Sequence, residues 1–91
     1  MQNPLERIRK EYGLTREQMA AVMGTSYVSY STYIRGAAFP GLKKLQLVAS
    51  FFKIDLEDLI RAIDEWKRYL IQKRREEALE KVKAKNSGGE R

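Results

Sequence analysis

The chain has 91 residues, 43% of them apolar, and a formal net charge of +6 with a pI near 9.7. That length suits one small domain with at most an appendage. It contains no cysteine and no histidine, which excludes disulfides, thiolate or imidazole metal sites, and catalysis by a histidine base or triad. No constellation of carboxylates or lysines points to catalysis, so neither an enzyme nor a cofactor is expected. The apolar runs fall far short of bilayer thickness, and the amino-terminal MQNPLERIRK has no signal-peptide apolar region. A cytoplasmic chain with no membrane partner is therefore expected. Positive charge in excess favours a polyanionic partner. The excess is uneven: residues 1–60 hold eight Lys/Arg against six Asp/Glu, and residues 61–91 hold ten against six.

No segment alternates with period two, and helix start and stop signals are frequent, so an all-α fold is predicted. Asn3 is a good N-cap, Pro4 suits a first helical position, and Glu6 is placed to complete a capping box. Leu5, Ile8 and Tyr12 then share a face up to Gly13. Thr15 opens a second helix with Gln18 three residues on, and Met19, Ala20, Val22 and Met23 are its apolar positions. Gly24 ends it. Ser26 caps a third helix that stops at Gly36.

Pro40-Gly41 precedes a fourth helix, Leu42 to about Phe52, with Leu42, Leu45, Val48, Ala49 and Phe52 at three- and four-residue steps. Asp55 caps a fifth. No breaker follows until Gly88, so this helix either runs on to about Lys85 or bends near Arg61 to Glu65. Leu56, Leu59, Ile60, Ile63, Trp66, Leu70 and Ile71 lie in one stripe, which then meets Arg74. Glu57–Arg61, Asp64–Arg68, Lys73–Glu77 and Glu77–Lys81 are favourably spaced ion pairs. Residues 86–91 read as a disordered tail.

The third helix has two chemically distinct sides. At about 100° per residue, Tyr30, Tyr33 and Ile34 fall on one, while Val28, Ser31, Thr32 and Arg35 fall on the other. Tyr27 stands between them at the helix entry. The aromatic side suits a core, so Tyr30 and Tyr33 are read as packing residues. The small, hydroxylated side lets backbone approach a surface closely.

Residues 5–60 resemble the helix-turn-helix family of phage repressors and Cro proteins. The resemblance rests on Leu14-Thr15-Arg16-Glu17-Gln18-Met19-Ala20, Gly24, Ser26, Gly36, Pro40 and Ile54-Asp55-Leu56-Glu57-Asp58-Leu59. It implies a five-helix lambda-repressor-like domain over residues 1–60, followed here by a helical extension over 61–85. Ala20 is small where the two helices of the motif cross. Tyr30 and Tyr33 stand where aliphatic residues are usual, as does Thr25. Ile34 replaces a frequent acid, which removes an ion pair from that position to Arg9.

The resemblance implies a sequence-specific regulator of transcription, a repressor, that binds double-stranded DNA as a homodimer on a two-fold operator. It assigns base contact to Tyr27, Val28 and Thr32, helped by Ser31, at a helix entered through Ser26. Arg16 matches a phosphate-gripping position, and Arg35, Lys43 and Lys44 lie in the segment facing the DNA backbone. Trp66, Tyr69, Leu70 and Ile71 are the candidate dimer contact. Two alternatives stand beside this reading. One is an antitoxin whose residues 72–91 also bind a protein, and the other an interaction module that merely retains the fold.

Overall fold

Helix boundaries follow the capping residues. The computed structural model describes residues 1–89, with side chains described through residue 83. It holds five helices: α1 (Pro4–Glu11), α2 (Arg16–Val22), α3 (Tyr27–Arg35), α4 (Leu42–Phe52) and α5 (Leu56–Gly89). Asn3 Oδ1 accepts from the Leu5 N–H at 2.8 Å, while Pro4 occupies a position where no N–H is needed. Thr15 Oγ1 accepts from the Gln18 N–H at 3.1 Å and Gln18 Oε1 accepts from the Thr15 N–H at 2.8 Å, a reciprocal capping box. Ser26 and Asp55 cap α3 and α5 in the same way, accepting from the Ser29 and Asp58 N–H groups.

Glu6 departs from the expected pattern. It completes no capping box at α1; its carboxylate turns inward and is almost wholly buried. Charged and hydroxyl donors are there to meet it, and these bind a carboxylate more strongly than a lone helix-end amide does.

The core collects the apolar face of every helix. Leu5 and Ile8 come from α1, Met19, Ala20 and Met23 from α2, Tyr30 from α3, Leu45, Val48, Ala49 and Phe52 from α4, and Leu59 and Ile63 from α5. Tyr12 lies half exposed at its edge, with its ring centroid 4.6 Å from that of Phe52. Leu42, at the first position of α4, is exposed rather than core. Among the described residues no buried side-chain polar atom lacks a partner. No described helix is long and apolar enough to cross a membrane.

α5 is a single helix without a bend at Arg61 to Glu65. It also passes Lys85 and includes residues 86–89 of the segment expected to be a tail; residues 90–91 lie outside the described residues. Once a helix is nucleated each added residue gains a backbone hydrogen bond, and no residue before Gly88 strongly opposes this. Asp64–Arg68 pairs at 2.9 Å as expected, but Arg61 turns to Asp58 at 3.0 Å rather than to Glu57. Lys73 points back to Tyr69 instead of forward to Glu77. From Ile71 to Lys83 every residue is exposed, so this part of α5 projects beyond the core.

Candidate nucleic-acid interface

α3 is seated by its aromatic side. Tyr30 is completely buried, and its hydroxyl donates to Glu6 Oε2 at 2.7 Å. Arg9 supplies two further hydrogen bonds to Glu6, at 2.8 and 3.0 Å, and Arg16 a third at 3.3 Å. One carboxylate thus ties α1, α2 and α3 together. Burial by itself would raise the Glu6 carboxyl. The hydrogen bonds from Arg9 and Tyr30 and the charges of Arg9 and Arg16 outweigh it, holding the group at about 2 against an ordinary 4.5. Burial pushes the Tyr30 hydroxyl up, and the adjacent Glu6 carboxylate adds to that. Arg9, deprived of an acid at position 34, finds its partner one turn earlier in its own helix.

The far end of α3 is held from two directions. Asn3 Nδ2 donates to the carbonyls of Tyr33 and Ile34 at 3.2 and 3.3 Å, so the residue that caps α1 also fastens α3. Gly36 closes the helix at φ +74 beneath α5. Arg74 Nη2 donates to the Gly36 carbonyl at 3.1 Å. Trp66 lies edge-on to Phe39 at 5.6 Å between centroids, and Lys67 Nζ stands 4.9 Å over the Phe39 ring.

The opposite side of α3 meets solvent. Val28 is 73% exposed and Tyr27 45%. Ser31 and Thr32 are half-buried, and Arg35 is exposed at the end of the helix. Thr32 Oγ1 donates to the Val28 carbonyl at 3.0 Å, which spends its proton within the helix and leaves lone pairs for a ligand. Ser26 is committed as the cap and also donates to Ser29 Oγ. Arg16, at the start of α2, keeps a 46% exposed side chain despite its contact with Glu6. Lys43 is exposed and Lys44 half-buried in the first turn of α4. An open hollow of about 180 Å³ between α1 and α5, lined in part by Arg7, Glu11, Tyr12 and Asp58, involves no residue of α2 or α3.

Two short helices joined at Gly24, the second seated by a buried tyrosine and open on its outer side, make a helix-turn-helix. A family model described as Helix-turn-helix matches residues 5–59, well over half the chain. The chain belongs to the helix-turn-helix family of phage repressor and Cro-like proteins. It therefore carries the DNA-binding domain of a regulatory family. No curated protein and no solved structure matches the chain.

Within the helix-turn-helix frame, the candidate dimer residues fare unequally. Trp66 is buried within the chain and Leu70 packs toward Gly36, because the stripe they occupy covers the end of α3. Trp66 is thereby withdrawn from the surface, while Leu70 stays half-buried. Tyr69 is half-buried beside Lys73, and Ile71 is exposed. The Glu6 hub, the second role of Asn3 and the Arg74 anchor escaped the sequence reading. Only the last had left a signal, an arginine on the apolar stripe of α5.

Proposed function

We propose that the protein is a sequence-specific transcriptional repressor that inserts α3 into the major groove of double-stranded DNA. The observation that carries this is the outer side of α3. Val28 and Tyr27 are exposed and Thr32 half-buried beside them, on a helix whose other side is locked to Glu6 and the core. Ser31 assists, Ser26 sets the helix entry, and Arg16, Arg35, Lys43 and Lys44 contact phosphates. The family supports such a role, and the charge balance agrees with it.

The reading helix lacks Asn, Gln and Lys, and its single arginine lies at its end. Forked side chains that read guanine or adenine in a bidentate manner are therefore absent from its centre. Val28 and the Thr32 methyl pack on thymine methyls instead, and DNA shape supplies the remaining selectivity. Affinity comes chiefly from phosphate contacts and falls steeply with salt. The protein acts in the prokaryotic cytoplasm or nucleoid as a homodimer on a two-fold site. The dimer contact lies on the exposed extension, where Leu79 and Val82 share a face beyond Ile71.

The test is selection of bound sequences from random DNA, followed by binding of the winning duplex to Arg16→Ala/Thr32→Ala. Enrichment of a T-rich half-site and loss of binding by the variant are expected. No enrichment, or a motif of invariant G·C pairs opposite Val28 and Thr32, would contradict the proposal. A second reading, an antitoxin that also grips a protein through residues 72–91, is favoured by the full exposure of residues 71–83. Co-purification of a toxin encoded beside this gene would support it.

A further inference from the structure

The charge along α5 is segregated: residues 56–66 hold four acids against Arg61, residues 76–89 hold three acids and three lysines, and the densest basic block lies between them. Residues 67–75 contain Lys67, Arg68, Lys73, Arg74 and Arg75 and no acid. Glu57, Asp58, Asp64 and Glu65 precede this segment, and Glu76, Glu77 and Glu80 follow it. A solvated helix gains from interleaved signs, whereas a block of like charge repels itself unless an anion is present. The block is also tied to the rest of the molecule, directly after the buried Ile63 and Trp66. Arg74 holds the Gly36 carbonyl at 3.1 Å, and Lys67 sits 4.9 Å over Phe39. It therefore borders the loop from Gly36 to Gly41, whose flanks carry Arg35, Lys43 and Lys44. Arg68 is paired with Asp64, while Lys67 and Arg75 are exposed and have no acidic partner among the described residues.

We infer that the basic segment 67–75 of α5 is a second phosphate-contacting element for duplex DNA, extending the footprint beyond the helix-turn-helix. This rests on the reading above that the Arg35 to Lys44 side faces the DNA backbone. Lys67 and Arg75, two turns apart on adjoining sides of Ile71, make the contacts. Arg74 is a positioning residue: it fixes the segment to the end of the reading helix. The recognised chemistry is the phosphodiester backbone without regard to base. A dimer contact at Leu79 and Val82 lies past this segment and leaves it free.

The experiment measures the salt dependence of binding by the full chain to the duplex selected from random DNA. Wild type is compared with Lys67→Gln/Arg75→Gln and with a control of equal charge change, Lys10→Gln/Lys53→Gln. The control residues stand at the ends of α1 and α4, close in the chain to the Tyr12–Phe52 contact. Two lost phosphate contacts lower the slope of log K against log salt by about 1.8, with the selected motif unchanged and a single cooperative thermal unfolding retained despite the lost Lys67–Phe39 contact. The control leaves the slope as in wild type.

Equal slopes for wild type and Lys67→Gln/Arg75→Gln would overturn the inference while leaving α3 as the reading helix. The block would then serve an acidic protein surface. An equal drop in the control would also overturn it, since net charge alone would explain the loss. Failure of the wild type to bind any selected duplex would remove both readings together.

Discussion

At the residue scale, Glu6 is the group on which the reading helix depends. Removing the Tyr30 hydroxyl takes one hydrogen bond from a buried carboxylate, a loss of about 1.5–3 kcal/mol for charged partners. Arg9 remains, so Tyr30→Phe is predicted at the low end of that range, measured by urea unfolding at neutral pH. The pH dependence has a definite sign. The folded carboxyl, at about 2, lies below its ordinary 4.5, so its stabilisation is complete above 4.5 and fades as pH falls toward 2. Over that window the wild type should lose roughly 3 kcal/mol relative to Glu6→Gln, followed through their unfolding midpoints. A constant difference between the two proteins from pH 5 to about 2 would contradict this.

The sequence hid this hub for a physical reason. Glu6 sits where capping boxes place an acid, and a local partner is always the simpler assignment. Arg9 is a local partner at i+3, but the two that make Glu6 a hub between helices, Tyr30 and Arg16, lie 24 and 10 residues away. No periodicity reports such a pairing. By contrast the Thr15–Gln18 box and the cap at Ser26 are local, and both were legible from residue type and spacing alone.

At the scale of elements, the glycines divide by what lies above them. Gly13 and Gly36 both require positive φ, which costs a side-chain-bearing residue about 1–2 kcal/mol. A Cβ at Gly13 would meet nothing within 4 Å, whereas at Gly36 it would overlap Leu70 Cδ1 and stand 3.2 Å from Trp66 Cη2. Gly36→Ala is therefore predicted to lower the melting temperature distinctly more than Gly13→Ala. It should also weaken DNA binding, because Leu70 and Trp66 must shift where α5 covers the end of α3. Equal melting temperatures for the two variants would show that α5 does not press on this loop.

The faces of α3 were readable because core and solvent sort a helix by side-chain type. The fate of the Trp66–Leu70–Arg74 stripe was not. An apolar stripe looks the same whether it covers its own chain or a second copy. Here Trp66 and Leu70 cover Gly36, which moves the proposed dimer contact outward to Leu79 and Val82.

At the scale of the whole molecule, a small domain carries a projecting helix that lengthens it to 59 Å. The core stays with the amino-terminal two thirds, and the strongest excess of positive charge lies on the projection. Under the dimer proposal, Leu79→Glu/Val82→Glu yields monomers by light scattering at concentrations where the wild type is a dimer. The melting of the monomeric core should change little, because both residues lie outside it. A wild type that stays monomeric both free and on DNA would refute that assembly.

The most direct test of the central claim, that the outer side of α3 reads DNA, is a titration of ¹⁵N-labelled protein with the selected duplex, followed by NMR. The account predicts the largest amide shifts at Tyr27, Val28, Ser31 and Thr32, with a second set at Arg16 and from Arg35 to Lys44. Shifts confined to α5 or to the hollow between α1 and α5, with α3 unmoved, would contradict it.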